Sequence, residues 1–132
     1  MTGSQTPYTV KRLTDVEDSA PGLGVGDSQE SRFATGDLGS ERIGVAHHRF
    51  AAGKRQGVGH RHDEAEEVYV VIGGSGRINL DGDIIELERL DAIRVAPPVM
   101  RAFEGGPEGM EVLAFGPHQD GDGEAIQGWW PE

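Results

Sequence analysis

Short apolar segments separated by glycine are the feature that most limits how this chain can fold. The 132 residues contain 21 glycines and 7 prolines, spread without a repeat. No segment keeps a helical period for three turns. Many short strands joined by tight turns predict an all-β protein, either a sandwich or a closed barrel. We expect strands at 8–13, 43–50, 57–62, 67–72, 77–80, 84–87, 92–95, 99–103 and 110–115, with tight turns at 73–76, 81–83 and 104–109.

The length predicts one domain, because 132 residues are enough for one hydrophobic core. Residues 1–39 are expected to form an edge strand followed by a polar, glycine-rich irregular segment. Residues 40–116 are expected to form the β-barrel, and 117–132 a C-terminal tail of the same domain. The acidic run 120–124 lacks the register and length of a calcium-binding loop, so we assign it no metal.

The charge balance excludes several classes of partner. With 12 basic and 23 acidic residues the net charge is −11, which argues against nucleic acid and against anionic membrane surfaces. No apolar run has the length of a membrane span, and the N-terminus lacks the layout of a signal peptide. The chain has no cysteine, which weakly supports a cytoplasmic location and excludes thiolate chemistry.

Two histidines and a glutamate in one short segment predict a metal site. His60 and His62 are two residues apart on a predicted strand, so their side chains point to the same face. On one unbroken strand Glu67 would face the other way, and the polar segment 63–65 can supply the bend that brings it round. Two imidazoles and a carboxylate suit a divalent transition metal such as Fe, Mn, Ni or Zn with open positions for water or substrate.

These residues resemble the first motif of the cupins. Four residues separate His62 from Glu67 and six separate Glu67 from Gly74, which fits the family pattern, whereas the leading glycine, Gly53, is one residue further from His60 than usual. The resemblance covers roughly residues 40 to 115. It implies a cupin-type double-stranded β-helix, or jelly-roll barrel, with His60, His62 and Glu67 as metal ligands and with dimers as the common form.

The second cupin motif departs from the family pattern at the fourth ligand. By the resemblance, Arg101 stands where a histidine is usual, and a guanidinium offers no lone pair to a metal. In one interpretation the other three residues hold the metal and Arg101 binds an anionic group of a ligand. In a second, His48 is the fourth ligand, since alternation places it on the inner face and His47 on the surface. In a third, no metal binds.

Three functional hypotheses remain open. The first is a metal-binding cupin that acts on a small, anionic organic molecule as a dioxygenase, isomerase or decarboxylase, with Tyr69 and His48 near the substrate. The second is a metal-free barrel that binds or senses a small molecule. The third is an association barrel with a vestigial site, in which Trp129 and Trp130 lie in the interface of a homodimer.

Overall fold

The computed structural model describes residues 7–117 and 122–131, and it confirms an all-β protein. Eight strands account for most of the described chain. They are β1 (Gln29–Phe33), β2 (Ile43–Phe50), β3 (Val58–Arg61), β4 (Glu67–Leu80), β5 (Asp83–Glu88), β6 (Ala92–Val95), β7 (Arg101–Pro117) and β8 (Glu124–Gln127). The helical parts are short: two 3₁₀ turns, Leu13–Asp15 and Pro21–Leu23, and one α-helix, α1 (Thr35–Leu38). No helix in the described ranges is long and apolar enough to cross a membrane.

The two long strands organise a single curled sheet. Strand β7 pairs antiparallel with β2 on one side and with β4 on the other, and β4 also pairs with β5 and β6. Strand β1 extends the sheet beyond β2, while β3 pairs with β8 and meets β7 at His60 and Arg101. This topology brings β3 and the start of β4, which carry the predicted ligands, to the wall of one cavity.

The predicted tight turns at 73–76 and 104–109 are wrong, because β4 and β7 run through both segments. The register between these strands shifts twice, between Val71 and Gly73 and between Gly74 and Gly76. Gly74 has a φ of 66°, and a Cβ there would lie 2.1 Å from the carbonyl oxygen of Gly109. The glycines therefore make bulges that bend a continuous pair of strands, which curls the sheet without ending it.

The N-terminal segment differs from the prediction in two places. No strand forms at 8–13, where Tyr8 is 78% and Val10 is 92% exposed, so these apolar side chains find no buried face. A strand forms at Gln29–Phe33 instead, inside the segment expected to be irregular, where it pairs with β2. The turn at 81–83 forms as expected, with positive φ at Asp81 and Gly82.

The core is built around a row of aromatic rings. Phe50 stacks on Phe103 with centroids 5.2 Å apart, and Tyr69 meets Phe103 edge to face at 5.0 Å. Val71, Ile78 and other aliphatic side chains of β4 and β7 pack around these rings and are fully buried. The core thus fixes the part of β4 that leads back to the candidate site.

The C-terminal tail closes against its own barrel. Trp130 is only 7% exposed, and the guanidinium carbons of Arg55 and Arg77 lie 4.6 Å and 5.5 Å from its ring centroid. Glu104 pairs with both arginines at 2.8 Å. Trp129 lies against Gly59, where an added Cβ would come within 2.7 Å of the indole. The tail is therefore a structural part of the barrel wall.

Candidate metal centre

The structure brings the three predicted metal ligands together. His60 is on β3, His62 follows that strand by one residue, and Glu67 begins β4. Their ligand atoms all lie within 4.8 Å of one another. Nε2 of His60 is 3.2 Å and Nε2 of His62 is 3.3 Å from the same oxygen, Oε1 of Glu67. The bend predicted between His62 and Glu67 is present, since the two residues face one another across the loop.

Asp122 holds that bend, although it is distant in sequence. Its carboxylate accepts hydrogen bonds from the backbone N–H groups of Asp63 at 2.6 Å, Glu64 at 3.0 Å and Ala65 at 2.8 Å. Burial acts to raise the pKa of Asp122, but these three hydrogen bonds outweigh it and hold the pKa below its ordinary value. The carboxylate of Asp122 thus shapes the loop between two of the candidate ligands.

Asp122 also sets the orientation and tautomer of His62. Nδ1 of His62 lies 2.9 Å from the backbone carbonyl oxygen of Asp122, so Nδ1 must carry a proton that it donates. Neutral His62 therefore has its lone pair on Nε2, which points at Glu67. That nitrogen is buried and has no hydrogen-bond partner among the described residues. A buried imidazole lone pair without a donor normally costs free energy, and its place beside a carboxylate is an arrangement that could hold a metal ion.

The donor set fits a first-row divalent metal. Ligand bonds of about 2.1 Å at right angles put neighbouring ligand atoms about 3 Å apart. The separations of 3.2 Å and 3.3 Å between the imidazole nitrogens and Glu67 are close to that spacing. Two histidines and one carboxylate on one side leave positions open for other ligands, and the type of donor suits Fe, Mn, Ni or Zn.

Glu67 is ionised across the physiological range. Burial would raise its pKa, but hydrogen bonds with His60 and Tyr69 and electrostatic interaction with the two imidazoles lower it to about 2. The Tyr69 hydroxyl donates to Oε1 of Glu67 and also lies 3.4 Å from Nε2 of His60. Burial and the charge of Glu67 raise the pKa of Tyr69 well above its ordinary value. Tyr69 is therefore a neutral hydrogen-bond donor at this site.

Arg101 lies behind Glu67. Its NH1 donates to Oε1 of Glu67 at 3.0 Å, and NH2 donates to the carbonyl oxygens of Ala96 at 2.9 Å and Pro97 at 3.4 Å. The side chain is 0% exposed and is not among the residues that line the cavity. The alignment of the second motif placed Arg101 at the site, and its side chain contacts Glu67, Tyr69 and backbone carbonyl groups. The predicted contact of Arg101 with a ligand stays a prediction.

A cavity of about 530 Å³ opens next to the three residues. It is walled by strands β1, β2, β3, β4 and β7 and by the tail, and most of its lining is apolar. The apolar lining includes Phe33, Val45, Ala46, Val58, Ala114 and Phe115. His60, His62, Glu67 and Tyr69 form one polar region of the wall. A volume of this size suits a small organic molecule.

His48 and His47 sit on opposite faces of β2, as alternation predicts. His48 lines the cavity, and burial, followed by the charge of His60, lowers its pKa from 6.5 to about 4. His47 was predicted to lie on the surface, and this is wrong, because it is 3% exposed and its Nε2 lies 2.5 Å from Glu111. The strand is covered on both faces at His47 and His48, although Arg49 on the His47 face is exposed, so alternation alone could not show that His47 is buried.

Three residues of this region escaped the sequence analysis. Asp122 belongs to an acidic run that was set aside as a poor calcium loop. Gln29 and Ser31 lie in a segment predicted to be irregular, yet both are buried and line the cavity beside His48. No local pattern marks these residues, because each acts through a contact with a segment far away in the chain.

Solved cupin structures are similar to this one over nearly the whole chain. A cupin protein from Bacteroides fragilis has a TM-score of 0.70 at 20% identity, with 89% of each chain covered. The polyketide cyclase RemF from Streptomyces resistomycificus has a TM-score of 0.70 at 21% identity, with 94% of this chain and 89% of that chain covered. KdgF from Halomonas sp. has a TM-score of 0.62 at 20% identity, with 90% and 97% covered.

These likenesses define the class of protein at the level of fold. No known family profile matches the sequence, and no curated protein is significantly similar to it. The structural likeness nevertheless extends over most of both chains in all three comparisons. The chain has the cupin fold, as the resemblance of its first motif implied. Within that fold it carries a His/His/Glu group that is able to hold a metal ion.

Proposed function

We propose that this protein is a metal-dependent cupin that binds a small organic molecule through an oxygen atom next to His60, His62 and Glu67. The observation that carries the proposal is Nε2 of His62, a buried lone pair without a donor that faces an ionised carboxylate. When bound, Fe, Mn, Ni or Zn supplies Lewis-acid polarisation of that oxygen, or activation of water or dioxygen. Oxygenation, isomerisation and decarboxylation are the reaction classes that this chemistry serves.

The surrounding residues prepare the site. Arg101 donates to Glu67 and holds its carboxylate in place, so we assign it a positioning role. The Tyr69 hydroxyl donates its one proton to the same oxygen and lies beside His60, where its oxygen is able to accept a hydrogen bond from a hydroxyl group of a bound ligand. The apolar cavity walls exclude water from the ligand and strengthen these interactions.

A metal-free binding barrel is the second candidate, and one observation favours it. Oε1 of Glu67 is already hydrogen-bonded to His60, Tyr69 and Arg101, so its charge is partly compensated without a cation. In that case the same polar residues would hold a ligand directly. The two candidates differ in whether purified protein binds a divalent ion.

Elemental analysis of purified, untagged protein tests the proposal. After incubation with Mn²⁺, Fe²⁺, Ni²⁺ and Zn²⁺ separately, followed by desalting, we expect about one ion per chain for at least one metal. His62→Ala and Glu67→Ala should each abolish this stoichiometry, because each leaves too few ligands. Glu66→Ala is the matched control, since Glu66 is the neighbouring carboxylate but pairs with Arg94 outside the site. If the protein binds none of the four metals, the proposal is wrong and the metal-free binding barrel is the remaining candidate.

A further inference from the structure

A second polar cluster lines the cavity, and the metal centre does not use it. His48, Ser31 and Gln29 project from β2 and β1 into the same cavity as the three candidate ligands. Ser31 is 1% and Gln29 7% exposed, so their hydrogen bonds are made within the protein. Along the sheet, the row containing His48 is separated from Glu67 by the row Ala46, Ala114 and Tyr69. A ligand that reaches both polar regions must therefore be elongated.

The hydrogen bonds of this cluster run in one direction. The backbone N–H of Gly57 donates to Oε1 of Gln29 at 3.1 Å, which fixes the orientation of the amide. Nε2 of Gln29 then donates to Oγ of Ser31 at 2.8 Å. Oγ of Ser31 lies 2.9 Å from Nδ1 of His48. Among the described residues Nδ1 is the one remaining partner for the Ser31 hydroxyl proton, so Ser31 donates to His48.

This direction sets the tautomer of His48. Because Nδ1 accepts from Ser31, the proton of the neutral imidazole is on Nε2. The lowered pKa of about 4 keeps the ring neutral at physiological pH. Within residues 7–117 and 122–131 no group hydrogen-bonds to this Nε2. It is also absent from the fully buried atoms without a partner, which include Nε2 of His62. His48 therefore presents one N–H donor to the contents of the cavity.

The rest of the lining limits the ligand further. None of the described residues that line the cavity is lysine or arginine, and Glu67 contributes a negative charge. A ligand body with several anionic groups would meet no fixed positive charge there. The only place for an anionic oxygen is beside the metal. Apolar side chains from β1, β2 and β7 instead match a flat or elongated hydrocarbon body.

We propose that the cavity takes a largely apolar, elongated molecule with an oxygen donor at its metal end and a carbonyl or other acceptor oxygen that His48 binds through Nε2–H. This inference rests on the proposed function, because it uses the metal centre as the first anchor. It specifies the ligand class as an aromatic or polyene-like hydroxy-carbonyl compound and excludes sugars and small dicarboxylic acids. The His48 contact acts as a specificity determinant at the second anchor.

A matched pair of probes tests the assignment. Acetylnaphthol and ethylnaphthol, substituted at opposite ends, share the ring and a phenolic oxygen, and the second side chain has an acceptor oxygen only in acetylnaphthol; because the acetyl group also makes the phenol more acidic, the part of the preference that His48→Leu removes is the part assigned to His48. For Zn²⁺-loaded protein we expect acetylnaphthol to bind roughly fivefold to tenfold more tightly by calorimetry, the effect of one hydrogen bond. His48→Leu should remove this preference and His48→Gln, which retains a donor, should restore most of it. His47→Gln, on the opposite face of β2, is the control and should leave the preference unchanged.

Several results would overturn the assignment. Equal affinity for the two naphthols in the wild type would exclude a donor at His48, and this comparison stands alone if His48→Leu does not fold. If the preference persists in His48→Leu, the donor is another residue. If neither naphthol binds, the apolar ligand class is excluded. Zinc content is measured in the same samples. Protein that holds zinc but does not discriminate refutes only this inference, whereas zinc-free protein with a His48-dependent preference refutes the proposed metal function.

Discussion

Asp122 determines the geometry of the candidate metal centre from outside it. Its carboxylate accepts three backbone N–H groups of the loop between His62 and Glu67, and its carbonyl oxygen fixes the tautomer of His62. Residues that orient metal ligands typically contribute about tenfold to a hundredfold to metal affinity. If this carboxylate were removed, the three N–H groups of the loop would lose their acceptor and the loop between the two ligands would lose its fixed shape.

We therefore expect Asp122→Ala to weaken metal binding by about tenfold to a hundredfold without unfolding the barrel. Calorimetric titration of the metal-free protein measures the change. Asp63→Ala is the matched control, because its exposed carboxylate pairs with Arg61 and not with the loop backbone. Equal affinities of the Asp122 variant and the wild type would show that the loop keeps its shape without this residue.

His48 should make the free energy of unfolding depend on pH. Its pKa is about 4 in the folded protein and 6.5 ordinarily, so between these values the unfolded chain binds more protons. The contribution of neutral His48 to the free energy of unfolding is fully present above pH 6.5 and is lost as the pH falls toward 4. From the linkage relation we expect a loss of about 2 kcal/mol between about pH 7 and about pH 5.

Urea denaturation of metal-free protein at these two pH values provides the measurement. His48→Asn removes the titrating group, so the variant should lose about 2 kcal/mol less than the wild type over the same interval. All other titratable groups are common to the two proteins. Identical pH dependence would mean that His48 is not held in an environment that disfavours its charged form.

The residues that could be predicted from the sequence are those whose signal is local. His60 and His62 share a face through the strand period, and Glu67 follows at a spacing that the first cupin motif makes recognisable. Asp122 could not be predicted, because its hydrogen bonds join segments that only the pairing of β3 with β8 brings together. The exposure of His47 was predicted wrongly, because the alternation of side chains along a strand shows which residues share a face but does not show which face is buried.

Among the elements, the bulged pair of β4 and β7 gives the barrel its curvature. Gly74 has positive φ, and a Cβ there would meet the carbonyl oxygen of Gly109 at 2.1 Å. An alanine would require both an unfavourable backbone conformation and movement of the partner strand. The glycine-rich segment 73–76 was predicted as a turn, since the same residues that allow a turn also allow a bulge.

Gly74→Ala should lower the free energy of unfolding by at least about 2 kcal/mol. Chemical denaturation is the measurement. The control is Gly22→Ala, where an added Cβ meets no atom within 4 Å, and this change should be close to neutral. A Gly74 variant as stable as the control would show that the strands accommodate a side chain at the bulge.

The C-terminal tail is the second element on which the cavity depends. Trp130 packs between Arg55 and Arg77, and Arg55 also donates to the carbonyl oxygen of Pro131. The two terminal tryptophans therefore have contacts within one chain, whereas the sequence alone left open burial on the chain's own barrel or burial on a neighbouring subunit. The predicted homodimer stays a prediction, because the structure is of one chain.

Trp130→Ala should cost about 3 kcal/mol of stability, the usual loss for a buried aromatic ring. The molar mass in solution, measured by light scattering, should not change. Ile126→Ala is the control, since Ile126 lies on β8 but is 42% exposed. Unchanged stability together with a reduced molar mass would instead place Trp130 in an interface between subunits.

For the whole molecule, composition and strand pattern were sufficient to predict the class of fold. Alternating short segments with abundant glycine predicted an all-β sandwich or barrel, the resemblance of the first motif implied a cupin barrel, and the comparison with solved cupins confirms the fold. The contents of the cavity could not be predicted in the same way. They depend on which side chains of β1, β2, β3, β7 and the tail meet across the barrel, and no local pattern records those contacts.

The central claim is that His60, His62 and Glu67 hold a metal with two imidazoles and one carboxylate. X-ray absorption at the edge of the bound metal counts the imidazole ligands directly. We predict two imidazoles with nitrogen ligands at about 2.0–2.2 Å, the remaining positions being filled by oxygen. In His62→Ala the metal should be lost, as in the elemental analysis. A wild-type spectrum with three imidazoles would add a histidine that the assigned centre does not include, and a spectrum without imidazole would contradict the assigned centre.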